Sequence, residues 1–179
     1  KYAIIVLHED LKNEARKHFQ TPLIFSIQEA KGLEYKNVIL FNFISCEEKK
    51  YYEIAKGISS EELTQDLIYS RTKDKSDRSL EIYKFYINSL YVAITRAIDN
   101  IYIVEDYAKH ALIELLGLKN SSSNITLIDE ESSLEEWRQE AHKLDLQGKT
   151  EQADEIRNSI LAQKQTPWKP IDKAQFEML

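Results

Sequence analysis

The chain has 179 residues and 42% of them are hydrophobic, which is enough for one sizeable core with a small additional domain. Its single cysteine, Cys46, excludes an internal disulfide bond, and no apolar run reaches the roughly 20 residues that span a bilayer. The formal net charge of −6 argues against a free-standing nucleic-acid-binding protein, because phosphate contacts usually require a basic surface. We therefore expect a soluble, intracellular chain, cytoplasmic if bacterial, in which any contact with DNA is local.

The chain begins with a strand pattern followed by a helix pattern. The near-continuous apolar run at residues 2–7 predicts a strand that is covered on both faces. Asp10 is the predicted N-cap of a short helix that carries Leu11, Ala15 and Phe19 on one face. Because the first residue already lies inside this strand pattern, we interpret the chain as a piece of a longer protein.

A polar region separates this first part from a long helix. Residues 45–79 include the charged run 71–78, and we interpret them as an insertion or mobile crossover with a helix at residues 61–69. Apolar residues then recur at three- and four-residue steps over residues 80–94, which predicts a helix packed on a sheet. The residues expected to face that sheet are Leu80, Tyr83, Ile87, Leu90, Tyr91 and Ile94.

The alternation of strand and helix patterns predicts a parallel α/β sheet within residues 1–128. Tyr83, Tyr86 and Tyr91 of the long helix are expected in the core of this domain rather than stacked on bases. Further strands are predicted at residues 23–27, 38–43, 101–104 and 125–128, and a further helix at residues 107–116 that ends at Gly117.

Residues 129–179 form a second predicted domain, a helical hairpin with an extended tail. Ser133 and Glu136 have the spacing of a capping box, and Gly148 separates the first helix from a second one that begins at Thr150. The hairpin resembles one tetratricopeptide-type unit, but a solenoid needs about three repeats for stability. The residues expected to be buried in it are Trp137, Ala141, Leu144, Ala153, Ile156 and Ile160.

The loop between the second and third predicted strands carries a chemical motif. Residues 29–35 read Glu-Ala-Lys-Gly-Leu-Glu-Tyr and continue into an apolar strand. The cation of Lys31, the backbone amides around Gly32 and the carboxylate of Glu34 can hold a phosphate or the edge of a sugar. Loops that leave the carboxyl ends of parallel strands bind ligands in open α/β sheets. For an isolated Lys-Gly pair, a tight turn with solvated side chains would be the simpler interpretation.

This string resembles motif V of UvrD/Rep-type helicases, whose Ala/Ser-Lys-Gly-Leu-Glu-Phe core contacts nucleotide and single-stranded DNA. The resemblance implies that Glu34 contacts the ribose hydroxyls of ATP, with Lys31 and Gly32 in a supporting role in the same loop. Ser26 and Gln28 stand where the family places threonine and histidine, so the resemblance implies that these two residues contact the DNA backbone. Their hydroxyl and amide groups keep the capacity for hydrogen bonds.

A second string lies at the end of the long predicted helix. Residues 90–97 read Leu-Tyr-Val-Ala-Ile-Thr-Arg-Ala and precede another strand. Taken alone, Thr95 and Arg96 could equally be a solvated helix end or a partner of the helix dipole. The string resembles motif VI of the same family and follows motif V in the family's order. The resemblance implies that Arg96 is the arginine finger, a guanidinium that stabilises the charge on the γ-phosphate in the transition state.

The two motifs together imply the second RecA-like lobe of a UvrD/Rep-type DNA helicase, a three-layer α/β domain. ATP and Mg²⁺ would be bound mainly by the N-terminal lobe of a parent chain, because no Gly-x-x-x-x-Gly-Lys-Ser/Thr occurs in this sequence. Single-stranded or partly duplex DNA and that N-terminal lobe are the implied partners. No metal site is predicted from the four scattered histidines. We predict that this chain alone neither binds ATP tightly nor hydrolyses it.

A competing hypothesis belongs to another functional class. In it, the chain is a degenerate helicase lobe that serves as an interaction module, and the acidic hairpin at residues 133–163 holds a protein partner. Leu7 and His8 stand where the family's motif IV commonly has Tyr-Arg, which favours this hypothesis, as do the replacement of histidine by Gln28 and the negative net charge. The presence of both Glu34 and Arg96 favours the motor lobe, because a scaffold has no physical need for either.

Overall fold

A computed structural model of the protein describes residues 1–56, 58, 61, 79–107, 109–118 and 133–163. The chain divides into two compact units, Lys1–Glu130 and Glu131–Leu179. Most of the predicted polar insertion lies outside the described residues. So do the predicted helix at residues 61–69 beyond its first residue, the charged run 71–78, the predicted strand at residues 125–128 and the tail beyond residue 163.

The first unit is an α/β structure with four parallel strands in the order β2-β1-β3-β4. The first strand in the sequence, β1, lies between β2 on one side and β3 on the other. The predicted parallel sheet is therefore confirmed within the described residues. The strands are β1 (Tyr2–Val6), β2 (Ile24–Ser26), β3 (Tyr35–Phe41) and β4 (Ala97–Val104), and the helices are α1 (Lys12–His18), α2 (Glu48–Ala55), α3 (Ser79–Ile94) and α4 (Ala111–Leu115).

The core of this unit lies on both faces of β1 and β3. In β1, Ala3 and Ile5 alternate with Ile4 and Val6, and all four are at most 1% exposed. The prediction of a strand covered on both faces is thus confirmed. Full burial of each large aliphatic side chain contributes about 1.5–3 kcal/mol, so this short strand is a main source of stability. One face packs in a cluster of Ile4, Val6, Ala15, Ile24, Ile39 and Phe41.

The start of α1 differs from the prediction. A 3₁₀ turn at Glu9–Leu11 precedes the helix, and extended His8 occupies the N-cap position of that turn. Asp10 lies inside the turn and is therefore not the N-cap. The chain turns directly after His8, two residues earlier than the predicted N-cap at Asp10.

The helix α3 forms as predicted, and the prediction of its buried residues is confirmed for Tyr86 and Leu90 but wrong for Tyr91 and Ile87. Tyr86, Leu90 and Ala93 are buried, whereas Tyr91 is 67% exposed and Ile87 is 41% exposed. The helix carries two apolar stripes that are offset by one residue, so periodicity alone does not select between them. The buried stripe contains the small side chain of Ala93, which permits close approach to neighbouring residues.

Three further elements begin at other residues than predicted. The strand β3 begins at Tyr35, three residues before the predicted start at Val38. The strand β4 begins at Ala97, four residues before the predicted start at Ile101, because it follows directly on the turn at Thr95. The helix α4 begins at Ala111 rather than at Tyr107. His110 is its N-cap, and the Nδ1 atom of His110 accepts a hydrogen bond from the backbone N–H of Leu112 at 3.1 Å.

The second unit contains the predicted pair of helices, α5 (Leu134–Leu146) and α6 (Thr150–Gln163). The predicted capping box is confirmed: the Ser133 hydroxyl accepts from the Glu136 N–H, and the Glu136 carboxylate accepts from the Ser133 N–H. Ala141, Leu144, Ala153 and Ile156 are buried as predicted, while Trp137 and Ile160 are half-buried. Within the described part of the chain, no helix has the length and apolar character needed to cross a bilayer.

Candidate functional site

The loop at residues 27–34 runs from one end of the sheet to the other. Phe25 of β2 and Leu40 of β3 both pair with Ile5, so they lie at the same level of the sheet. Tyr35, where the loop ends, is five residues before Leu40, which corresponds to about 17 Å along the strand. Ser26 and Glu34 therefore lie at opposite ends of the sheet. The loop thus leaves the carboxyl end of β2, as predicted, and its second half reaches the amino ends of the strands.

A capping box closes the first turn of this loop. The carboxylate of Glu29 accepts hydrogen bonds from the backbone N–H of Ser26 at 2.8 Å and from the Ser26 hydroxyl at 3.0 Å. The Ser26 hydroxyl in turn accepts from the Glu29 N–H at 3.5 Å, and the Ser26 carbonyl accepts from the Ala30 N–H at 2.9 Å. Ser26 is only 4% exposed. Its hydroxyl is thus engaged inside the protein.

A buried lysine joins this capped turn to α1. The Lys12 side chain is 2% exposed, and its Nζ atom lies 3.1 Å from each carboxylate oxygen of Glu29. A cation at this depth requires a compensating charge, because its transfer out of water is costly. Glu29 therefore links three elements: α1, the end of β2 and the loop.

The other predicted loop residues face water. Gln28, Lys31 and Glu34 are exposed and form no hydrogen bond or ion pair with the described residues. Gly32 has a φ of +82°, and no atom lies within 4 Å of the position that a Cβ would take. Glycine is required there by the backbone conformation and not by close packing. The second half of the loop thus offers an exposed cation, an exposed carboxylate and open space.

Arg96 binds directly to the second half of this loop. Its Nη1 donates to the carbonyl of Leu33 at 3.1 Å, its Nε to the carbonyl of Val92 at 3.0 Å, and its Nη2 to the hydroxyl of Thr95 at 3.1 Å. The Arg96 carbonyl accepts from the Tyr35 N–H at 3.0 Å. The guanidinium therefore satisfies a carbonyl at the end of α3 and also holds the loop.

The structure brings Glu34 and Arg96 to the same edge of the sheet. Tyr35 and Ala97 are the first residues of the neighbouring strands β3 and β4, and they pair with each other. Glu34 and Arg96 directly precede them, and neighbouring strands lie about 4.8 Å apart. A guanidinium has five N–H groups. Three of them donate to described residues, which leaves two for an oxyanion. Glu34 lies at the same end of the sheet, and its carboxylate can accept from hydroxyl groups, so this end carries groups that can bind a phosphate and a sugar.

A separate polar cluster occupies the carboxyl ends of β3 and β4. The Glu105 carboxylate accepts from the N–H groups of Ile44 and Ser45 at 2.9 and 2.8 Å. Asn42, which has a φ of +45°, exchanges two hydrogen bonds with Asp106. These bonds fix the turn that leads into α2. No group of three or more metal-ligating side chains occurs among the described residues, so this cluster offers no metal site there.

Cys46 lies beside this cluster and is protected from chemistry. Burial, together with the negative charges of Glu105, Glu47 and Asp10, raises the pKa of Cys46 from 9.0 to about 12. The thiol remains protonated at neutral pH, and a protonated thiol is a poor nucleophile.

Lys12 and Glu29 were not predicted from the sequence as site residues. Glu29 could have been found, because Ser26 and Glu29 have the same Ser-x-x-Glu spacing as the capping box at Ser133. Lys12 gives no such signal, since its partner is 17 residues away in the sequence.

The chain is similar to a small part of a much longer human protein. No protein-family model matches the chain, and no solved structure matches it. The human "TPR and ankyrin repeat-containing protein 1" is 31% identical over 119 residues, which covers 58% of this chain. The alignment covers only 4% of the human protein, so this chain corresponds to a small part of that relative.

Proposed function

We propose that this chain is the second RecA-like motor lobe of a UvrD/Rep-type DNA helicase or translocase. In this function ATP binds between this lobe and an N-terminal lobe of the same parent protein, and single-stranded or partly duplex DNA binds across both. The contact between Arg96 and Leu33 carries the proposal. It joins two strings that are 63 residues apart in sequence and that both resemble motifs of one family.

Arg96 and Glu34 have separate tasks in this proposal. The two remaining N–H groups of Arg96 stabilise the negative charge that the γ-phosphate oxygens share in the transition state. Glu34 accepts hydrogen bonds from the ribose hydroxyls of ATP. The bond from Arg96 to the Leu33 carbonyl holds the guanidinium against the loop that carries Glu34, so that its orientation is set before the nucleotide arrives.

Neither the triphosphate cradle nor the metal site is assigned to this chain. The sequence has no phosphate-binding glycine loop, and the described residues hold no group of metal ligands. The Mg²⁺ that accompanies ATP is therefore assigned to the N-terminal lobe. Accordingly, we expect no appreciable ATP hydrolysis by the 179-residue chain alone.

The test is DNA-stimulated ATP hydrolysis by the full-length protein with Arg96→Lys. We expect kcat to fall by about a thousandfold or more with little change in KM for ATP, because the finger acts mainly in the transition state. Arg138→Lys is the matched control, since Arg138 pairs only at the surface with Glu135. An unchanged kcat for Arg96→Lys would contradict the motor function. A urea denaturation curve for each variant separates this effect from the loss of the bonds at Val92 and Leu33.

The second candidate function is a protein-interaction module built on the helical hairpin. It is supported by the exposure of Leu146 at 76% and Leu161 at 67%, two large apolar side chains of α5 and α6. It also agrees with the name of the human relative, which describes a protein that contains TPR and ankyrin repeats. This alternative predicts no DNA-stimulated hydrolysis, in wild type and Arg96→Lys alike.

A further inference from the structure

The strongest unexplained feature of the first unit is the depth of Lys12. Its side chain is 2% exposed, whereas lysine is almost never fully buried unless it is paired. The Nζ atom contacts both oxygens of Glu29, whose own side chain is 23% exposed. The pair is therefore shielded from solvent much more than a surface ion pair is, and its loss has correspondingly larger consequences.

The carboxylate of Glu29 depends on this cation. It accepts from the Ser26 N–H, from the Ser26 hydroxyl and from the Lys12 ammonium. Without the ammonium, the carboxylate would remain charged and partly buried, and it could recover hydration only by turning toward water. That movement would break the bonds to Ser26 and open the capped turn.

Gln28 lies inside that turn, between Ser26 and Glu29. Its amide is exposed and has no partner among the described residues, so it is available to a ligand. The Ser26 hydroxyl is engaged by Glu29 instead. Of the two residues implied in DNA contact, Gln28 is therefore the one that this structure leaves available, and its backbone position is set by the turn.

We propose that Lys12 is a positioning residue for DNA binding, acting through Glu29 to hold the turn that presents Gln28 to a DNA strand. This inference rests on the proposed motor function. The partner is the backbone of single-stranded DNA, whose oxygens accept from the Gln28 amide. Lys12 itself touches no DNA, because it is buried.

The test measures ATP hydrolysis by the full-length protein as a function of oligothymidylate concentration. For Lys12→Met we expect the DNA concentration for half-maximal stimulation to rise about five- to tenfold, the size of one lost hydrogen bond. We expect kcat at saturating DNA to be unchanged. Gln28→Ala should give a similar rise, and the double variant should give no further rise, because Lys12 acts through Gln28.

Lys17→Met is the matched control. Lys17 is an exposed residue of the same helix, so its replacement removes the same charge without touching Glu29. We expect the half-saturating DNA concentration to stay at the wild-type value. An equal rise for Lys17→Met and Lys12→Met would show a general charge effect and would overturn the positioning role.

A second measurement does not depend on DNA. In the 179-residue chain, amide hydrogen exchange at Ser26 and Ala30 should be faster in Lys12→Met than in wild type or Lys17→Met, because both N–H groups belong to the capped turn. Adding Glu29→Gln to Lys12→Met should restore protection, since a neutral amide oxygen can accept from Ser26 without a counter-charge. If Lys12→Met does not fold, Glu29→Ala serves both measurements, because it removes the carboxylate that accepts from Ser26 and should open the same turn.

The outcomes separate this inference from the proposed function. If DNA stimulates the wild type but Lys12→Met lowers kcat and leaves the half-saturating concentration unchanged, Lys12 is merely structural and the motor function stands. If DNA does not stimulate the wild type at all, the motor function fails and the positioning role fails with it. Unchanged exchange at Ser26 and Ala30 in Lys12→Met also overturns the inference.

Discussion

The thiol of Cys46 shows how burial and local charge remove chemical reactivity at a single residue. Its Sγ donates to the carbonyl of Phe43 at 3.4 Å, and the pKa is raised to about 12, with burial as the largest cause. We expect iodoacetamide to alkylate the native protein at pH 8 far more slowly than the urea-unfolded chain, where the pKa returns to its ordinary value. Mass spectrometry of timed samples measures both rates, and equal rates would contradict the prediction.

The same raised pKa makes stability depend on pH. Above about pH 9 the unfolded chain releases the Cys46 proton while the folded chain keeps it up to about pH 12, so the free energy of unfolding falls as pH rises through this window. Burial also raises the pKa of Tyr51, which acts in the same direction. We expect urea midpoints to decrease between pH 9 and 10.5, and to decrease less in Cys46→Ala. Equal decreases in the two proteins would argue against this origin.

Gly32 is required by its backbone conformation. At a φ of +82°, an alanine costs roughly 1–2 kcal/mol, and the open space around this position adds no clash. We expect Gly32→Ala to lower the free energy of unfolding by about that amount and also to weaken ATP hydrolysis by the full-length protein. Gly148→Ala is the control, because its φ is +74° in similarly open space in the hairpin. It should lower stability equally and leave hydrolysis unchanged; loss of hydrolysis in both variants would argue against a role for the Gly32 loop.

Among the secondary-structure elements, the start of α2 depends on Glu105, a residue that directly follows β4. Glu105 follows β4 and accepts from the N–H groups of Ile44 and Ser45, which lie at the 3₁₀ turn before α2. A glutamine has one acceptor oxygen and places donor hydrogens near the second N–H. We expect Glu105→Gln to destabilise the protein by about 1.5–3 kcal/mol in urea denaturation.

Glu114→Gln is the control for this prediction. Glu114 is an exposed residue of α4 whose side chain forms no hydrogen bond with the described residues, so we expect a change within about 0.5 kcal/mol. Equal effects of the two substitutions would show that the charge itself, and not the two backbone bonds, determines stability.

The elements differ in how well the sequence predicts them. The strand β1 is predictable because it is buried on both faces, so every position must be apolar. The helix α5 is predictable because its capping box is local. The buried face of α3 is not predictable, because Tyr91 and Leu90 are both apolar and only the neighbouring elements decide which of them is covered. Local chemistry is thus read from sequence more reliably than packing.

For the whole molecule, the arrangement of the candidate site is the part that sequence does not provide. The motif strings identify Glu34 and Arg96 as candidate residues. They do not reveal that these residues directly precede two neighbouring strands, or that Ser26 lies about 17 Å away along the sheet. That separation follows from strand register and from the path of a single loop. It divides the implied roles between two ends of the sheet, with the nucleotide contacts at one end and the DNA contacts at the other.

The net charge of −6 limits how the whole molecule can bind DNA. When cations contact phosphates, the affinity for DNA falls as the salt concentration rises. On a single strand, each neutralised phosphate adds about 0.7 to the steepness of the plot of log affinity against log salt concentration. Gln28 is neutral and releases no counterion when it donates to the DNA backbone. For the full-length protein we therefore expect Gln28→Ala to weaken binding of oligothymidylate by the same factor at every salt concentration. Plots of log Kd against log salt for wild type and variant would be parallel.

Lys31→Gln distinguishes a second contact in the same experiment. The exposed ammonium of Lys31 is on the loop that continues from Gln28. If it binds a DNA phosphate, the slope of the plot becomes shallower by about 0.7; if it serves the nucleotide side of the site, the slope is unchanged and KM for ATP rises instead. Because Lys31 precedes Gly32 and Glu34 in the half of the loop that contacts Arg96, we expect the second result. A change of slope with a constant KM for ATP would indicate instead that the DNA strand binds nearer the amino end of the sheet.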